Sequence, residues 1–278
     1  MEWPKLKNII ILILLLANLF LLVMVGVQEH GSAQYQEQAL TNAVSVLGNN
    51  GIRIDSDKIS DELELTAMTL SRDLESETAL AQALLGACDR VDQGGGRYAY
   101  ESPLGWAEFR SNGSFSVSFV NGTQAARQIG GEETHALRLM EEAGLTVVLE
   151  SREETEDGVE LILCQTWQNV PVYSCQITAK YQNGSLLTIS GQRLMGTPQS
   201  VSGESEPISV PTALLRVLNG IDDLGDICNE ITAMEPGYLL TASADGSRLI
   251  PMWYVTTDTG AYNLNALTGA LERAQSKT

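Results

Sequence analysis

The longest apolar stretch of the chain runs from Ile9 to Val27 and is broken by one polar residue, Asn18. A helical run of about this length matches a bilayer core, so the pattern predicts a transmembrane helix over 9–27. Lys5 and Lys7 precede the run and Glu29 follows it. That bias places a cytoplasmic tail at 1–8 and the rest of the chain on the extracytoplasmic side of the cell membrane. A cleaved signal peptide is the competing reading. Its apolar core is usually about 7–15 residues, and the small-residue candidate Gly31-Ser32-Ala33 comes late, so a retained single-pass anchor is expected.

Beyond the anchor the apolar periods alternate between helical and extended. Tyr35 to Leu47 has Ala39, Ala43, Val46 and Leu47 at helical spacing before Gly48. A strand over Gly51 to Asp57, alternation from Glu62 to Ser71 and a helix over Glu77 to Leu85 follow. Gly94-Gly95-Gly96 then breaks the pattern ahead of strands at Arg97 to Glu101, Gly105 to Arg110 and Ser114 to Val120. The last two are joined by the turn Asn112-Gly113. From Glu132 to Leu194 the order is a helix to Ala143, strands at Leu145 to Glu150 and Gly158 to Trp167, a turn at Asn169-Val170, a further hairpin turn at Asn183-Gly184, and Leu187 to Arg193. Gly196 to Pro207 reads as a connector. Ser209 caps a helix with Pro211 in its first turn that ends at Gly220, and strands follow at Ile231 to Met234, Tyr238 to Ala242, Arg248 to Thr256 and Tyr262 to Leu264. The shared order of 132–194 and 209–272 predicts an internal repeat. The expected fold class is α+β, built of antiparallel sheets and helices, with one extracytoplasmic domain at 28–128 and a second at 129–278.

Charge narrows the partners. Seventeen basic against 35 acidic residues give a formal net charge of -18. Nucleic acid and anionic headgroups are thereby disfavoured as partners, because both need clustered Lys and Arg. Glu150 to Glu160 is read as a solvated acidic loop, since it lacks the ordered ligands and turn Gly of a calcium loop. The four cysteines form no CxxC pair. A hairpin turning at Asn169-Val170 would set Cys164 opposite Cys175, either disulfide-bonded or as buried thiols. The only histidines are His30 and His135, and no HExxH is present, so neither imidazole catalysis nor a zinc site is expected. Trp106, Trp167 and Trp253 fall on strands and are read as core rather than as a sugar platform. The expectation is a protein that is not an enzyme and takes no cofactor or metal.

Met1-Glu2-Trp3, Lys5, Lys7, the Ile-rich run and Asn18-Leu19-Phe20-Leu21 together resemble the start of YycI-type proteins of the YycH/YycI family. The resemblance implies a short tail, one membrane helix and outer α+β domains. It also implies membrane-level regulation of a cell-wall-sensing WalK (YycG)-like sensor histidine kinase, in concert with a YycH-like protein. The two repeat segments, with the closing pattern Tyr262-Asn263-Leu264-Asn265-Ala266-Leu267-Thr268-Gly269, resemble PepSY-like modules. Asn18, Phe20 and Leu21 are the candidate partner-binding residues, because a polar group inside lipid commonly hydrogen-bonds across a helix interface. The alternatives are a PepSY-like anchored protease inhibitor or an envelope hydrolase.

Overall fold

The computed structural model describes residues 35–60, 65–120, 130–201, 203, 205–243 and 246–274, together with Leu14 and Asn18. Helix α1 spans 35–49 and is followed by β1 (Arg53–Ile54), a 3-10 turn at Ser56–Lys58 and β2 (Met68–Leu70). The remaining chain repeats one arrangement three times, a helix followed by four consecutive antiparallel strands. The first unit is α2 (Leu74–Leu85) with β3 (Asp89–Gly94), β4 (Arg97–Ser102), β5 (Gly105–Arg110) and β6 (Ser114–Phe119). The second is α3 (Glu132–Glu142) with β7 (Val147–Thr155), β8 (Gly158–Trp167), β9 (Val170–Gln182) and β10 (Ser185–Gln192). After β11 (Gln199–Ser200) the third is α4 (Val210–Asp223) with β12 (Glu230–Ser243), β13 (Gly246–Thr257), β14 (Ala261–Asn265) and β15 (Leu271–Arg273). The α+β class is as expected, and 74–119 carries the same order of elements, which the sequence showed only in its two C-terminal segments.

The closing strands of the first two units pair with each other, Val117 opposite Ile189, giving the run β3-β4-β5-β6-β10-β9-β8-β7. Helices α2 and α3 cover one face. Leu80, Leu84 and Leu85 of α2 meet Leu139 and Met140 of α3 over Phe109, Val117, Leu163 and Ile177 in one core. Burying each such side chain contributes about 1.5–3 kcal/mol. In the third unit α4 and α1 pack together, with Ala43, Leu47, Leu214, Val217, Met234, Trp253 and Leu264 in a separate core. The segment 35–70, which the sequence reading grouped within 28–128, pairs with this third unit, β1 with β12 and β2 with β13, and β2 takes β11 on its other side.

Several boundaries differ from the sequence pattern for identifiable reasons. The hairpin after Trp167 turns at Gln168 and Asn169, both at positive φ (50° and 67°), rather than at Asn169-Val170. Strand β9 then leaves β8 at Val172 to pair with Tyr238 of β12, so Cys164 faces Gln176 and not Cys175. All four cysteines are free thiols. Glu150 to Glu160 is not a loop; β7 runs on to Thr155 and β8 begins at Gly158, so cross-strand pairing overrides the acidic run. Helix α4 continues through Gly220 to Asp223; a Cβ at Gly220 would lie 2.5 Å from that of Leu271, so the glycine serves close packing rather than termination. The two strands expected at 231–234 and 238–242 are one, carried through Pro236-Gly237 by pairing with β13. Among the described residues no helix is long and apolar enough to cross a membrane; apart from Leu14 and Asn18, the run 9–27 lies outside them.

Candidate functional site

The sequence nominated the N-terminal run, of which two residues are described. Leu14 and Asn18 are helical and exposed, and the Asn18 Nδ2 group donates to the Leu14 carbonyl at 2.9 Å. That bond occupies one amide proton and leaves the second proton and the carbonyl oxygen open to a neighbouring helix. Phe20 and Leu21 lie outside the described residues.

Helix α1 rises from the third unit as a stalk. Residues 35–39 are exposed on every side, whereas Ala43 and Leu47 are buried and Leu40 and Val44 partly so, the i, i+3, i+4, i+7 stripe of a docked helix. At its base is the loop that joins α4 to β12. Ile227 stands on this loop 77% exposed. Hollows of about 600 Å³ and 350 Å³ flank it, both lined in part by Asp226 and Ile227. The larger reaches across to Tyr254, Tyr262 and Arg273; the smaller reaches Asn50, Ile52 and Leu218, beside the foot of α1.

The loop is held from three directions. Arg273 clasps the Asp226 carboxylate through Nη2 at 2.8 Å and Nε at 2.9 Å, and Tyr262 donates to it at 3.0 Å. The Arg273 hydrogen bonds come first in holding the Asp226 carboxyl below its usual range, with Tyr262 adding to the effect. Asp258 accepts from the Asn229 backbone and side chain and from the Glu230 N–H. Thr259 donates to the Ile227 carbonyl at 2.9 Å. The arrangement presents one apolar side chain and hydrogen-bonding groups on a braced loop, which is the chemistry of a contact surface. Arg273→Ala removes the two guanidinium hydrogen bonds that come first in lowering the Asp226 pKa, so it is expected to raise that pKa; carboxyl titration followed by NMR checks this.

The buried polar groups serve structure. His135 lies on α3 with its Nδ1 2.8 Å from the Tyr181 hydroxyl. Burial holds the imidazole below its usual pKa, with Glu142 opposing and Arg138 reinforcing the shift. The unfolded chain takes up this proton as pH falls through about 6.5 while the folded protein resists it, so this contribution to stability is full above that pH and declines below it. Urea melts between pH 7.5 and 5.5 are expected to show the decline, and His135→Gln should remove that component. Among the described residues no group of three His, Cys, Asp or Glu side chains is placed to hold a metal ion.

The residues of the α4–β12 loop escaped sequence reasoning because Asp226 and Arg273 are 47 positions apart and belong to no motif. No known family matches the chain. No curated protein matches it either. Among solved structures, an uncharacterized protein from Eubacterium rectale ATCC 33656 is similar over 81% of this chain and 87% of its own, at 12% identity and a TM-score of 0.47. The Bacillus megaterium YpeB C-terminal domain is similar over 74% of this chain and 100% of its own, at 13% identity and a TM-score of 0.39. At these values neither likeness bears on function.

Proposed function

We propose that the chain is a non-catalytic, single-pass membrane regulator of the YycI kind. In this reading its extracytoplasmic helix-plus-four-strand units are PepSY-like modules, and it biases a WalK (YycG)-like sensor histidine kinase together with a YycH-like protein. The observation that carries the reading is the seating of α1. The stalk that follows the apolar run is bound through Ala43 and Leu47 to the core of the third unit, so displacement or rotation of that unit acts on the segment leading to the membrane. A regulator of this design favours one kinase state by packing differently against the alternatives, and its leverage equals the difference in contact free energy between them. Confinement to one membrane raises the effective concentration of the pair.

Kinase co-purification and a kinase-output reporter test this. Exchanging 9–27 for a generic Leu/Ala span is expected to weaken capture while the outer units still fold. Asn18→Leu should weaken association by about 0.5–2 kcal/mol, toward the lower end because the Leu14 carbonyl already takes one amide proton. Leu47→Asp, which places a charge in the α1 seat, should retain capture through the span and lose the response in output. Unchanged capture and output with the exchanged span would refute the membrane-helix mechanism.

A further inference from the structure

The long sheet has a second face that no described helix covers. On β5 and β6 the residues Ala107, Phe109, Phe115 and Val117 point into the core. Strand alternation therefore sends Trp106, Glu108 and Arg110, and beside them Ser118, Ser116 and Ser114, to the opposite side. The pairing carries this surface onward without a break. Ser118 lies opposite Thr188 and Ser116 opposite Ser190 on β10, and these lie opposite Lys180 and Thr178 on β9. The result is a grid of hydroxyls with a single large aromatic at one corner. Trp106, expected in the core, is 48% exposed. Of the charges on this face, Arg110 pairs with Glu108 at 2.7 Å and Lys180 with Glu160 at 2.9 Å, while Glu101 and Arg97 flank it on β4. Beside the Arg110–Glu108 pair lies a hollow of about 260 Å³ lined by both of these residues and by Ser114, Phe115, Ser116 and Gly191. A Cβ on Gly191 would collide with the Gln176 carbonyl, so the glycine lets β10 run close against β9 at this point.

We propose that this helix-free face binds a neutral polysaccharide chain, with Trp106 stacking on a sugar ring and the serine and threonine hydroxyls of β6, β10 and β9 exchanging hydrogen bonds with the sugar hydroxyls. An ordinary solvated sheet face carries long charged side chains, whereas here the centre carries short uncharged donor-acceptors that match a polyol in both roles. The ring C–H surface of a pyranose complements an exposed indole, which is otherwise costly to leave in water. An extended peptide is disfavoured because the backbone groups of β5, β6, β9 and β10 are taken up by their neighbours, leaving no edge for strand addition. Nucleic acid is disfavoured by the net charge of -18.

The full chain in detergent micelles is titrated with β-1,4-linked hexamers of glucose and of N-acetylglucosamine, by calorimetry and by iodide quenching of tryptophan fluorescence. At least one hexamer is expected to bind at millimolar concentration or tighter and to protect Trp106 from iodide. Trp106→Ala should weaken that binding about tenfold or more. Ser190→Lys, which raises a charged side chain over the grid without touching the core, should do the same with unchanged circular dichroism. If neither hexamer binds the wild-type chain, or if binding and quenching are indifferent to both substitutions, the proposal is overturned. Preference for an unstructured peptide, with the same dependence on Trp106 and Ser190, overturns it as well.

Discussion

Replacing Glu77 by alanine is expected to destabilise the protein by about 3–5 kcal/mol, because it leaves two guanidinium groups at a buried site without their counter-charge. Glu77 is completely buried in the first turn of α2. Arg72 grips its carboxylate through Nε at 2.9 Å and through Nη2 at 2.8 Å and 2.9 Å. Arg193, just past β10, adds Nη2 at 3.0 Å. Arg193 is itself buried, over the ring of Phe109, and its Nη1 donates to the Leu194 carbonyl. Glu77 thus ties the helix of the first unit to the closing strand of the second. Glu77→Gln keeps the shape and part of the hydrogen bonding and should fall between wild type and alanine. Adding Arg193→Met to Glu77→Ala should recover part of the loss, since it removes one stranded charge. Urea denaturation of wild type, Glu77→Ala, Arg193→Met and the double variant closes the cycle, with Glu77→Gln measured beside it; purely additive losses would refute the coupling.

Trp253→Ala is expected to cost about 3–5 kcal/mol, the usual loss for deleting a fully buried aromatic. Trp253 is 0% exposed on β13, within the core that also seats α1. Its Nε1–H is buried and has no hydrogen-bond partner among the described residues. Trp253→Phe therefore removes an unsatisfied donor along with some volume, and should cost clearly less than the alanine substitution. Since the third unit has its own core, the alanine variant should loosen that unit and α1 first. Hydrogen exchange is the direct measurement: protection should fall in β12 to β14 and 35–49 while β5 and β6 remain protected. Equal losses across all three units would show that the cores do not act separately.

Much of the element order was legible because it rests on local chemistry. Asn183-Gly184 turns a hairpin, Ser209 and Pro211 open α4, and the Ser-Phe-Ser-Val-Ser-Phe alternation of 114–119 marks a strand with one apolar face. That alternation also carried the signal for the hydroxyl grid, but a lone strand does not reveal which neighbours extend it. Glu150 to Thr155 illustrates the opposite case. Its residues suit a loop, yet β8 offers a full ladder of partners and holds them extended. Gly220 likewise reads as a helix end until the approach of Leu271 is known.

The sequence by itself determined the local elements, the acidic surface and the apolar run at 9–27, because turns, caps, periodicity and net charge depend on residues close together in the chain. Tertiary structure alone decided the rest. It joined β6 to β10, returned β1, β2 and α1 to the third unit, brought Asp226 against Arg273, buried Glu77 between Arg72 and Arg193, and turned Trp106 outward. Most of these join residues distant in sequence. Their energy comes from excluding water between surfaces that do not exist until the units have folded, and no local pattern records which surfaces will meet.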